Sequence, residues 1–305
     1  MKRPLLFLSL TSLAAIMAIP SPTSHGERLL FISEHNHTRL IPLPLELSLA
    51  TEQVPLDQED AQERLQKELL TNTYWHSNTL QLLKRSTRLL PQMRDILREE
   101  GVPDDFIYLA VIESGLLPVV SPAGAAGFWQ IMPGTAKDLG LEVNEEVDER
   151  FHLEKSTRAA AAYLKNAHAR FGSWTLAAAS YNMGMAGLQR QMDRQAETTY
   201  YDLLLNEETK RYVFRILALK CIFEQPRAYG FDLAPGDYDA PWDDQQVTVD
   251  SAVVSWGEWA HPFGWSYNEL KRHNPWLREA FLRNTSGSRY TISVPNKAVT
   301  SEQSK

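Results

Sequence analysis

Phe106-Ile-Tyr-Leu-Ala-Val-Ile-Glu-Ser-Gly115 is an apolar run at helical spacing that carries a single carboxylate, Glu113, at its far end. Pro103-Asp-Asp precedes it as a helix start and Gly115 follows as a helix stop. The charge of Glu113 would face the negative end of the helix dipole and a partly desolvated wall, and both raise a carboxyl pKa. A carboxyl held protonated near neutral pH can serve as a general acid. Taken alone, the segment also fits a surface glutamate on a fraying last turn.

Outward from this run the chain reads as helices. Pro91 to Glu100 places Met93, Ile96 and Leu97 on one face and stops at Gly101, and Leu153 to Phe171 does the same with Ala160, Leu164 and Ala167 before Gly172. Alanine-rich turns permit close helix packing, so the middle of the chain is expected to be an all-α lobe. Between the helices, Ser121-Pro-Ala-Gly-Ala-Ala-Gly127 is a run of small residues that would let a ligand approach the backbone. It leads into Phe128-Trp-Gln-Ile-Met-Pro133. Trp129 offers a flat face to a sugar ring, and Gln130 has donors and an acceptor for hydroxyl or acetamido groups, so the pattern points to carbohydrate. A tight loop with two core aromatics is the alternative.

Glu113-Ser114, Gly127-Phe-Trp-Gln130, Ser180-Tyr-Asn182 and Glu208-Thr-Lys-Arg-Tyr212 stand in an order that resembles the four motifs of the family 1 lytic transglycosylases. Within that family the chain looks most like the membrane-bound lytic murein transglycosylase D subgroup. The resemblance spans residues 85–230 and implies a lysozyme-like (goose-type) α-helical catalytic domain. It also implies that Glu113 acts first as acid and then as base, with no cofactor and no metal. Ser114, Gln130, Tyr181, Asn182 and Trp129 would shape the sugar site, and Tyr212 would orient Glu113. Ser180 stands where the family commonly has alanine. Glu208 reads as support for the first turn of its own helix.

Cleaving a glycosidic bond needs a proton donor and something to stabilise the cationic centre, usually a second carboxylate. None of the motifs supplies one. The resemblance fills the gap with the substrate's own N-acetyl group and 6-hydroxyl, which gives 1,6-anhydromuramoyl ends on peptidoglycan strands. A hydrolytic muramidase and a non-catalytic cell-wall scaffold are the alternative readings.

The flanking regions are expected to be distinct. Residues 1–26 have a basic start, a short apolar stretch and a small polar end, as in a cleaved export signal. Its removal would move the formal charge from -7 to -9, which disfavours nucleic acid as a partner. The expected location is the periplasm or cell envelope, not as a lipoprotein, since the only cysteine is Cys221 in an apolar helix. Attachment to wall or membrane and protein partners stay open. Residues 27–84 form an extension with alternating Leu43, Leu45, Leu47 and Leu49 and a helical stretch from Gln62 to Leu83, and His35 and His37 read as solvated rather than metal ligands. Residues 231–245 read as a linker rich in Pro, Gly and acids. Residues 246–296, with strand patterns at both ends and a Ser266–Glu269 capping box, resemble a degenerate α+β LysM-like module, followed by a tail, 297–305. The fold class is therefore mainly α with a small α+β module.

Overall fold

The computed structural model describes residues 39–296; the expected signal, His35, His37 and the tail lie outside them. Two short strands, β1 (Ser48–Leu49) and β2 (Glu52–Gln53), pair as a tight antiparallel turn. Of the alternating leucines, only Leu49 lies in a strand, and Leu45 stands exposed.

Two long helices follow, α1 (Glu59–Tyr74) and α2 (His76–Glu99). The helical pattern expected from Gln62 to Leu83 is interrupted at Trp75, where ψ of 58° ends α1 before α2 begins. Pro91, expected to open a helix, instead lies inside α2. Leu82, Leu83, Leu89, Leu90, Met93 and Leu97 bury one face on both sides of the proline, and that burial holds the helix through the missing hydrogen bond. The boundary expected between residues 84 and 85 accordingly falls within one continuous helix.

A 3₁₀ turn at Asp104–Phe106 leads into α3 (Ile107–Ser114), which Gly115 closes in the left-handed conformation at φ 61°. Next come α4 (Pro133–Asp138), α5 (Leu153–Phe171), α6 (Trp174–Met183), α7 (Met185–Gln195) and α8 (Glu207–Glu224). Alanines 177, 178 and 179 of α6 are fully buried, and α6 packs against α5, α7 and α8 while α1 lies along α8. The apolar faces of these helices share one hydrophobic core. Among the described residues no helix is long and apolar enough to cross a membrane.

The turn between β1 and β2 has a structural task that local sequence does not reveal. Glu52 accepts hydrogen bonds from Ser173 Oγ (2.8 Å), Trp174 N (2.5 Å) and Thr175 N (2.9 Å), so it caps α6 from more than a hundred positions away. Burial alone would raise its pKa, but these bonds hold it below the usual glutamate value.

The stretch expected as a linker is fastened along α2. Phe231 is buried, Asp239 N donates to Lys84 O (3.0 Å), Thr87 Oγ1 donates to Asp239 O (2.8 Å) and Arg88 Nε donates to Ala240 O (3.0 Å). It connects without slack.

Beyond it lie β3 (Asp244–Val249), α9 (Trp256–Ala260), α10 (Tyr267–His273) and β4 (Tyr290–Pro295), with β3 and β4 antiparallel in the register Val247 opposite Ile292. The capping box of Ser266 and Glu269 forms as expected. The core of this module is completed by three residues of the helical lobe, Ala126, Val147 and Phe151. Val147 forms a bridge with Leu277, Asp148 N donates to Trp276 O (2.9 Å), and Arg283 pairs with Glu146.

Candidate functional site

Glu113 sits on the last turn of α3, partly buried, and its Oε1 accepts a hydrogen bond from the hydroxyl of Tyr212 on α8. Burial raises the Glu113 pKa above the usual glutamate value; the Tyr212 bond and the Arg215 charge lower it in part, and the Glu208 charge adds to the rise. Tyr212 is itself buried, and burial together with the Glu113 charge keeps its phenol protonated, so it stays a donor.

Ser114 ties α3 to the loop that follows. Its Oγ donates to Phe128 O (2.8 Å) and receives Leu116 N (3.1 Å). Gln130 takes φ of 49°, and its amide nitrogen donates to Val119 O (3.0 Å) and Gly127 O (2.9 Å), which spans the loop and fixes its shape. Gly127 is required for a reason other than ligand access. A Cβ there would lie 1.7 Å from Arg150 O, so the close approach expected of a ligand is made by the chain's own backbone.

Trp129 departs from expectation. It is fully buried and its indole N–H donates to Thr157 Oγ1 (2.9 Å), so it has no face for a sugar; the loop turns it inward to join the helical core. Its carbonyl is what reaches the site, accepting the hydroxyl of Tyr181 (2.8 Å). Tyr181 stands edge-on to Tyr163, whose hydroxyl donates to Ser180 O (2.7 Å). Asn182 bridges α6 to α8, donating to Glu208 Oε1 (2.9 Å) and accepting from Thr209 Oγ1 (2.7 Å).

The four motifs thus meet at one place. α3 brings Glu113 and Ser114, the loop brings Gln130, α6 brings Tyr181 and Asn182, and α8 brings Tyr212. Asp104 and Asp105 face elsewhere, the first held by Arg98 and the second by Lys220 (2.7 Å). Sequence reasoning missed Arg215, which donates to Ile112 O (3.1 Å) and lends its charge to Glu113. Its position one helical turn beyond Tyr212 was the available signal. It also missed Arg150, whose guanidinium pairs with Asp148 (2.7 Å) and donates to Gly124 O (2.9 Å) and Ile131 O (3.3 Å), gripping both ends of the loop from a buried position.

Residues 94–204 match the family model described as Transglycosylase SLT domain, and residues 245–298 match that of the soluble lytic transglycosylase C-terminal LysM-like domain. The chain is 31% identical over 241 residues to membrane-bound lytic murein transglycosylase D of Escherichia coli K12, covering 77% of this chain and 51% of that protein. It therefore spans about half the length of the curated relatives it matches. The 70-kDa soluble lytic transglycosylase of Escherichia coli superimposes with a TM-score of 0.38 at 21% identity, covering 48% of this chain and 26% of that one.

Proposed function

We propose that this chain, whose residues 94–204 belong to the transglycosylase SLT domain family and whose residues 245–298 belong to the LysM-like family of soluble lytic transglycosylases, is a peptidoglycan lytic transglycosylase of the cell envelope. Its substrate is the β-1,4 bond between N-acetylmuramic acid and N-acetylglucosamine. The observation that carries the reading is a single carboxyl, Glu113, whose pKa burial raises and which Tyr212 orients beside a loop and helix pair rich in polar groups.

The protonated Glu113 gives its proton to the leaving glycosidic oxygen as the C1–O bond breaks. The substrate's acetamido oxygen stabilises C1. The carboxylate then recovers a proton from the 6-hydroxyl, whose oxygen closes on C1 to form the 1,6-anhydro ring. No water is consumed, which makes the enzyme a lyase. On this reading Asn182 and Gln130 take the N-acetylated sugar, and Tyr181, with its proton committed to Trp129 O, accepts rather than donates.

Hydrolysis is the second reading, and it rests on Glu208, whose charge acts on Glu113 and whose carboxylate would direct the attacking water. Digesting purified sacculi in isotopically labelled water separates the two. Unlabelled anhydro ends are expected, with Glu113→Gln about 10²- to 10⁴-fold slower and Glu208→Gln within a few-fold of the parent. Labelled reducing ends, together with a large loss in Glu208→Gln, would make the enzyme a muramidase.

A further inference from the structure

Trp75 is 58% exposed, and the core of the helical lobe does not include it, although its neighbour Tyr74 packs there. It occupies the break between α1 and α2, a position at which chain geometry needs no large apolar side chain. It does not stand on open surface, but lines a groove of about 780 Å³, within the range of ligand sites.

The groove is lined by residues of α1, α2, α3 and α8. Asn78, Gln81 and Arg85 line it together with Trp75, and so do Arg215 and Glu208. These last two are the residues whose charges act on Glu113, and Glu208 also receives the amide of Asn182. The groove also reaches Ser114 and Gly115, directly after Glu113 in the chain. Through Ser114 and Glu208 the groove adjoins Glu113 and Asn182, so a strand seated on those two would have a path into it.

From these contacts we infer that the α1–α2 hairpin carries an additional sugar-binding subsite, in which a pyranose of the same glycan strand lies on Trp75 while Asn78 and Gln81 meet its hydroxyl and acetamido groups. The chemistry fits a sugar. A pyranose has one face of C–H groups for the indole and a rim of donors and acceptors for side-chain amides, which can serve as both. The residues concerned precede the region that matches the transglycosylase domain family. The inference rests on the proposed function for the identity of the strand.

Binding can be read apart from cleavage. In the full chain carrying Glu113→Gln, peptide-free glycan octasaccharide is expected to bind about tenfold tighter than tetrasaccharide. Adding Trp75→Ala should abolish that length preference and leave tetrasaccharide binding unchanged, and Trp75→Phe should keep most of it. A thermal melt of each variant checks that the fold is intact. The inference is overturned if neither chain binds, if Trp75→Ala weakens both chains equally, if the length preference survives Trp75→Ala, or if it appears only with stem peptides attached. Length-dependent binding by a parent protein that leaves sacculi uncut would instead overturn the proposed function and leave the groove standing.

Discussion

Glu113 is placed where a carboxylate is costly, and the cost has a measurable sign. Its folded pKa lies above the usual value of 4.5 because burial disfavours the charge. A group of this kind contributes stability that is present below pH 4.5 and is lost as the pH rises through its folded pKa. Glu113→Gln removes that loss. The variant should melt with the parent in acid and above it near neutrality, while its cleavage is nearly abolished; a melting series across that pH range reads both limbs. Glu52 behaves oppositely, since its bonds to α6 hold its pKa below 4.5. Its contribution is present above that pH and lost as pH falls, so Glu52→Gln should be less stable than the parent at neutral pH and converge on it in acid. The sequence made Glu113 legible because an apolar run, a lone acid and a glycine stop are local features. The role of Glu52 was not legible, because its partners at 173–175 adjoin it only after folding.

At the scale of elements, the loop of residues 119–131 is the part most dependent on the rest. It is shaped from inside by Gln130 and Ser114 and gripped from outside by Arg150. Gly127 meets Arg150 O so closely that Gly127→Ala forces strain at φ 80° and displacement of backbone. Costs of about 1–3 kcal/mol for each effect predict a clearly lowered melting temperature, and activity should fall further than stability because Ser114 and Gln130 shift with the loop. Differential scanning calorimetry beside a sacculus assay tests this. The small-residue run did mark close backbone approach, yet sequence could not say whose backbone. Trp129 shows the same limit: an aromatic in a glycine-rich loop reads equally as platform or as core, and only the Thr157 partner on α5 decides for core. By contrast, α3, α5, α6 and the capping box of α10 followed from periodicity and end signals, which are local.

The molecule as a whole departs from beads on a string. Val147 and Phe151 of the helical lobe belong to the core of the C-terminal module, and Asp148, which holds Arg150, donates its backbone N–H to Trp276 O. Removing the chain from residue 238 onward should therefore uncover both side chains and cost the lobe about 3–6 kcal/mol. It should also slow cleavage of soluble glycan chains; full activity and an unchanged melt in the shortened protein would count against the coupling. The composition of residues 231–245 suggested independence because Pro, Gly and acids lack periodicity, whereas three of the hydrogen bonds that fasten it to α2 end on backbone carbonyls, which leave no trace in sequence. Trp276, Asp148, Arg150 and Gly124 form one hydrogen-bonded path from the C-terminal module to the loop beside Glu113, so the shape of that loop is written partly in residues that come far later in the chain.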